Sequence, residues 1–189
     1  MKTIMISIRL LTAMTIITGI IYPFLILVLG STFFPYKASG SLIEFNGNKR
    51  GSELIAQNFD SIAYFTPRPS ASNYDPLPST GSNLGPTSRR LKNNIDSIKK
   101  SYTSFNKLVG NVQIPADALF SSGSGLDPHI SLENALLQIQ RISDARRLNE
   151  AKREQLIKLT YGILEKPSAG FLGEPVINVL KLNIELDKL

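Results

Sequence analysis

The hydrophobic pattern of the chain divides sharply at Lys37. Between Arg9 and Lys37 lie 27 uncharged residues, Leu10 to Tyr36, whose only polar side chains apart from tyrosine are Thr12, Thr15, Thr18, Ser31 and Thr32. As a helix that run is roughly 40 Å long at about 1.5 Å per residue, more than the ~30 Å hydrocarbon core of a bilayer. One transmembrane helix over 10–36 is therefore predicted. Threonines can return their hydroxyls to the helix backbone, and Thr12, Thr15, Thr18 and Gly19 are small enough to let a neighbouring helix approach closely. Pro23 deletes one backbone donor and is predicted to kink the helix. Ala38-Ser39-Gly40 would pass as a signal-peptide cleavage site, but the apolar run is nearly twice the length of a signal's apolar region.

After Lys37 the pattern is that of a soluble domain. Residues 37–50 read as a connector ending in a turn at Asn46-Gly47-Asn48, and Gly51-Ser52 as the start of a short helix with Leu54, Ile55 and Phe59 on one face. Residues 60–88 hold Pro67, Pro69, Pro76, Pro78 and Pro86 among many Ser, Gly and Asn. They predict a long loop with an extended Ala63-Tyr64-Phe65, packed down by Tyr64, Phe65, Tyr74 and Leu77. From Thr87 the period changes. Leu91, Ile95, Ile98, Tyr102 and Phe105 form the stripe of an amphipathic helix. Two more helices are predicted from near Ser131, with Leu132, Leu136 and Ile139 inward, and from Asn149, with Leu156, Ile157, Leu159 and Ile163 inward. The end of the chain alternates, with Val176, Leu180, Leu182, Ile184 and Leu186 on one side and Lys181, Asn183, Glu185 and Asp187 on the other, which predicts a half-buried strand. The fold class is α+β, helices plus a small sheet, anchored by one N-terminal transmembrane helix.

Composition narrows the chemistry. The 189 residues contain no Cys, no Trp and one His, which excludes zinc fingers, iron–sulfur sites, Cys nucleophiles and disulfide scaffolds. Lys2 and Arg9 are the only charges before Lys37, so the segment from residue 37 keeps 19 of the 21 basic and all 15 acidic side chains, a net +4. No block of Lys/Arg marks a nucleic-acid surface. The positive-inside rule is nearly balanced, with Lys37, Lys49 and Arg50 answering Lys2 and Arg9. A nine-residue head leading straight into an uncleaved apolar run most often stays inside. The expected organisation is a short cytoplasmic head (1–9), the transmembrane helix (10–36) and a soluble extracytoplasmic domain (37–189).

An internal echo stands out in this domain. Gly81-Ser82-Asn83-Leu84-Gly85-Pro86 and Gly123-Ser124-Gly125-Leu126-Asp127-Pro128 share the pattern G-S-x-L-x-P 42 residues apart, each just before a predicted helix. Backbone donors of a glycine-rich turn at a helix start can cradle an anion. Turn geometry and helix capping account for the same residues without a ligand. No phosphate-loop or nucleophile-elbow motif is present. His129 could pair with Asp127 and with Ser124 or Ser131, but a triad of such near neighbours is geometrically awkward. No grouping of carboxylates suggests a metal site.

These blocks resemble one family. Gly51-Ser52 with Leu54-Ile55 and Gln57, Tyr64-Phe65 with Arg68-Pro69-Ser70-Ala71 and Tyr74, the 81–86 loop, Ser122 to Ser131, Gln138, Arg141, Ala145 and Arg146, and Gly173-Glu174-Pro175 with Asn178-Val179-Leu180 and Leu182-Asn183 run in the order of the C subunit of the Kdp potassium-transporting ATPase. Thr80 departs from a frequent Gly, and Ser88 from a frequent Asn. The resemblance implies a prokaryotic inner-membrane complex for high-affinity K⁺ uptake. Its partners would be a channel-like subunit that carries the ion and a P-type subunit that hydrolyses ATP. The present chain would be accessory and non-catalytic, binding no cofactor tightly and no nucleic acid, and meeting ATP only through the complex. The resemblance further implies a catalytic chaperone that raises the ATP affinity of the hydrolysing subunit. On that reading Gly81, Ser82, Asn83, Gly85, Ser122, Gly123, Ser124, Gly125, Asp127, His129 and Gln138 are the candidates for nucleotide or partner contact. Thr12, Thr15, Thr18, Gly19 and Pro23 are the candidates for membrane packing. An external domain would not meet cytoplasmic ATP and would instead brace the pump's outer face. The alternative is a membrane-anchored extracytoplasmic enzyme or anion-binding module built on the two glycine-rich loops.

Overall fold

A computed structural model describes residues 2–77 and 80–189; Met1, and Pro78 of the long loop, lie outside them. The chain forms two compact units, one ending at Ile43 and one comprising Glu44–Leu189. In the first, α1 (Lys2–Ile16), a π turn (Ile17–Ile21) and α2 (Tyr22–Phe33) make one continuous helix of 32 residues, long and apolar enough to cross a membrane. It begins at Lys2, eight residues before the predicted start, and stops at Phe34, whose φ of −134° leaves the helical region before the short α3 (Pro35–Ala38). Pro23 sits in the first turn of α2, directly after the π turn. With no N–H at Pro23 the ordinary ladder is interrupted there, and Tyr22 N donates five residues back, to Ile17 O. Thr12 Oγ1 donates to Ile8 O (2.9 Å), Thr18 Oγ1 to Met14 O (2.7 Å) and Ser31 Oγ to Leu27 O (2.8 Å).

The connector contains more regular structure than its composition predicts. β1 (Leu42–Phe45) and β2 (Asn48–Ser52) form a two-stranded sheet around a turn in which Asn46 and Gly47 both take positive φ (53° and 74°). No helix follows at Gly51. That residue lies within β2 at φ 147°, and the Gln57 side chain lies where its Cβ would be, 1.9 Å from Nε2. Ser52 Oγ accepts from Leu54 N, but only a turn results, with Leu54 and Ile55 exposed.

The three predicted helices are present. α4 (Arg89–Phe105), α5 (Leu132–Arg146) and α6 (Glu150–Gly162) are capped by Ser88, Ser131 and Asn149, whose side chains accept from the backbone N of residues 91, 134 and 152. A two-residue strand, β3 (His129–Ile130), precedes α5 and pairs antiparallel with β4 (Ile177–Asn178). The predicted C-terminal strand stops there. Asn178 caps α7 (Val179–Leu186) by accepting Lys181 N, and Val179, Leu182, Asn183 and Leu186 are buried at helical spacing. Asn183, expected on a wet face, is in the core.

Phe65, Ile130, Ala135, Ile139, Ile142, Leu156, Ile177, Val179, Leu182 and Leu186 make that core. The loop of 60–77 packs onto it through Phe65, which is fully buried, and Tyr64 and Tyr74 are half-buried. Leu77, expected to pack down with them, is 82% exposed. Among the described residues no strand lies beside Ala63–Thr66. Side chains from α5 and α7 serve its backbone instead.

Candidate functional site

The segment 62–66 would bury bare backbone groups at a heavy cost if nothing bonded them. Asn183 Oδ1 accepts Phe65 N at 2.8 Å while its Nδ2 donates to Phe65 O at 2.9 Å. Gln138 repeats the arrangement one residue on: Oε1 accepts Thr66 N (2.8 Å) and Oγ1 (3.0 Å), and Nε2 donates to Thr66 O (3.2 Å). Two carboxamides thus do what a neighbouring strand would do.

Arg141 and Arg146, one and two turns further along α5, complete the clasp. The buried Arg141 donates to Ile62 O, to Tyr64 O (2.9 Å), to Asn106 Oδ1 (2.9 Å) and to Gln138 Oε1 (2.9 Å), and stacks 4.4 Å from the Phe105 ring centre. Burial lowers its pKa to about 10, with Tyr102 opposing the shift. Arg146 donates to Ala63 O (2.8 Å) and pairs with Asp187 (2.7 Å) across Tyr64. Asn134 extends the network, accepting from Tyr102 Oη (2.7 Å) and Gln138 Nε2 (3.0 Å) and donating to Asp117 (2.8 Å). Burial, then the Asp117 charge, raise the Tyr102 pKa well above the ordinary phenol value.

The echoed loops meet each other. A Cβ on Gly81 would sit 2.6 Å from Gly123 O, so the backbones touch there. Gly125 takes φ 71° with Ser72 Oγ, Thr80 O and Ser70 Oγ within 3.3 Å of its missing Cβ. Ser70 Oγ donates to Gly125 O (2.7 Å) and accepts Tyr74 N (2.9 Å), and Tyr74 Oη returns to Arg68 O (2.8 Å). Burial and the Asp60 charge push Tyr74 up to about 12. Ser122 Oγ accepts Asp127 N and Ser124 Oγ accepts Leu126 N.

Neither loop opens a helix directly. Ser88 and Ser131 are the caps, and β3 separates the second loop from α5. The polar side chains of the two loops also face different hollows. Ser82 lines one of about 450 Å³ with Ser70, Arg90, Asn94 and Phe120, whereas Asp127 and His129 line one of about 430 Å³ with Arg68, Asp117, Glu133 and Glu174. In the second, four carboxylates surround one guanidinium, and that guanidinium is paired to Asp127 at 2.8 Å. This charge balance disfavours an anion.

The candidates of 122–129 therefore gather, with Gly81 against Gly123. Asn83 (φ 50°) and Gly85 belong to the same run, and a Cβ on Gly85 would meet nothing within 4 Å. Gln138 lies apart, fully buried, its amide bonded on both sides. His129 Nδ1 is 3.2 Å from Asp127 Oδ1 and Nε2 is 4.0 Å from Glu165. Ser131 Oγ is turned to Asp117 at 2.9 Å, so no Ser-His-Asp relay forms with it. Burial alone would raise Asp127, but the side-chain and backbone hydrogen bonds from His129 and the Arg68 charge outweigh it and hold the carboxyl below the usual range. Among the described residues no three His, Cys, Asp or Glu gather as metal ligands. The buried roles of Asn134, Arg141 and Asn183 escaped residue-by-residue reading; the signal was polar residues at core-facing helical positions. In the apolar helix Thr12 and Thr18 bond their own backbone, Gly19 lies in the π turn with only Thr15 Cγ2 4.0 Å from its missing Cβ, and Pro23 follows.

A helix of membrane-spanning length joined to a small domain whose loops are bonded mainly to one another has the build of an accessory membrane subunit. The chain belongs to the KdpC family, the c chain of K⁺-transporting ATPases, which it matches over residues 4–188. It is 44% identical over 187 residues to the potassium-transporting ATPase KdpC subunit of Leptospira interrogans, covering 99% of this chain and 94% of that one. It is 45% identical to that of Photorhabdus laumondii over 97% of this chain and 94% of the other, and 41% identical to that of Mycobacterium bovis over 97% and 96%. It is a membrane-associated accessory subunit of a K⁺ pump.

Proposed function

We propose that this subunit assembles and braces an ATP-driven high-affinity potassium uptake pump, with residues 37–189 on the outer face and the head 1–9 in the cytoplasm. The observation that carries the reading is the internal use of the loop groups: Gly81 on Gly123, Ser70 on Gly125, and the Gln138 amide on Thr66. Side chains already bonded within the fold hold a shape and present it to a partner; they are poorly placed to seize a nucleotide. The partners are the channel-like subunit, against whose helices Thr12, Thr15, Thr18, Gly19 and Pro23 pack, and the ATP-hydrolysing subunit. A higher ATP affinity of the hydrolysing subunit then follows from assembly, with ATP bound by that subunit and not tightly by this chain.

The test is K⁺-stimulated ATPase activity of the complex that co-purifies with a tagged copy of the chain, compared with the same complex prepared without it. The reading expects the K⁺-coupled turnover to fall away and the KM for ATP to rise when the chain is omitted. Undiminished K⁺-coupled turnover in its absence overturns the reading.

A further inference from the structure

The outward face of α4 carries a charge pattern that the clasp and the loops do not use. Arg89, Lys92, Lys99 and Lys100 fall within an arc of about 100° on the helix, centred about 120° round from the stripe of Leu91, Ile95 and Ile98. Asp96, the only carboxylate on α4, lies within that arc and leaves the face a net +3, and among the described residues none of these four cations has an ion-pair partner. Unpaired cations at this density repel one another and favour an anionic neighbour.

The end of α4 adds an apolar point. Asn106 closes the helix, Lys107 takes φ 54°, its N bonds Ser104 O, and Leu108 N reaches back to Thr103 O at 3.0 Å. This Schellman closure fixes the path of the chain, and the next residue, Val109, is 90% exposed. A shallow groove joins Leu108 and Val109 to Asp96, Lys99, Lys100, Thr103 and Lys107, whose Nζ lies 3.7 Å from Asp144. A basic helix face followed by an exposed aliphatic residue suits the surface of an anionic membrane, where the lysines meet the headgroups and the apolar side chain the interface. Lysines act as mobile point charges suited to an array of phosphates.

We propose that the α4 face of Lys92, Lys99 and Lys100, with Lys107 at its C-terminal end beside Val109, is a docking surface for the headgroups of anionic phospholipids, with Val109 entering the interface. The proposal rests on reading Lys2–Phe33 as a membrane span. The ten residues 34–43 after it reach at most about 35 Å when fully extended, which tethers Glu44–Leu189 near a bilayer.

The chain has no cysteine, so a Val109→Cys variant takes a single polarity-sensitive fluorophore. The labelled full chain, with the subunits that co-purify, is placed in nanodiscs of phosphatidylcholine alone or of phosphatidylcholine with phosphatidylglycerol, and quenching by neutral acrylamide is read. A Lys158→Cys label on α6 is the control. The expected result is an emission blue shift and about two-fold weaker quenching at 109 only in the anionic discs. The effect should vanish with Lys99→Glu/Lys100→Glu and at ~1 M salt, where the screening length is about 3 Å. Equal quenching at 109 in both lipids overturns the proposal. So does protection that is independent of lipid charge, which would assign the face to a protein partner. Failure of the chain to enter either disc removes the span reading itself and the proposal with it.

Discussion

The Asn183 side chain holds both backbone polar groups of Phe65, accepting its N–H at 2.8 Å and donating to its carbonyl at 2.9 Å. One carboxamide on α7 thereby fixes the buried ring that joins the proline-rich loop to the core. Asn183→Leu strands both groups in a buried site and is expected to lower stability by about 2–4 kcal/mol, since each unsatisfied group costs ~1–3 kcal/mol. Urea unfolding of the full chain in detergent measures it. Lys181→Met is the contrast. Burial opposes its charge, but Glu53 and Glu165 at 2.9 and 3.0 Å together outweigh it and raise its pKa, and such exposed pairs contribute at most about 1 kcal/mol.

The glycines of the 81–85 loop should separate in the same assay. Gly81→Ala drives a Cβ to 2.6 Å from a carbonyl oxygen and forces the loops apart, at about 1–3 kcal/mol, the usual cost of overpacking. Gly85→Ala meets open space and is expected to be neutral. Equal effects at both sites would contradict the contact between the loops.

The helices from residue 89 to 162 were legible because their periodicity and their Ser and Asn caps agree with the packing. The C-terminal segment was not. Leu180, Leu182, Ile184 and Leu186 alternate as a strand does, yet Val179, Leu182 and Leu186 equally fit a helix, and over eight residues the two periods coincide. Asn178 as a cap was the available signal against the strand. The clasp was invisible for a related reason: Gln138, Arg141 and Asn183 are polar, so patterning sends them outward, while the backbone of 62–66 that draws them inward has no signature of its own. The resemblance blocks did mark these three residues as important without saying why.

Asp127 makes the 122–129 loop sensitive to acid. Its pKa is depressed in the folded state, so its contribution is present above the ordinary carboxylate range and is lost as pH falls through the depressed value. Hydrogen exchange of residues 122–129 should therefore accelerate relative to α5 as the pH falls below the ordinary carboxylate range. In Asp127→Asn this extra pH dependence should disappear.

Gly19 tests packing inside the membrane. Only Thr15 of its own helix comes near the missing Cβ, so Gly19→Leu costs the isolated helix little and should insert normally. If a partner helix lies against this face, the variant loses co-purifying subunits several-fold in mild detergent. Full recovery of the complex would place the partner elsewhere.

The central claim is that this subunit acts through assembly and that ATP is held elsewhere in the complex. Photolabelling of the whole complex with an azido-ATP, followed by mapping of the labelled peptides, tests it most directly. The account predicts label on the hydrolysing subunit, and on this chain none that unlabelled ATP competes away. Competable label on peptides containing 81–85 or 122–129 would contradict it and make the glycine loops a nucleotide site.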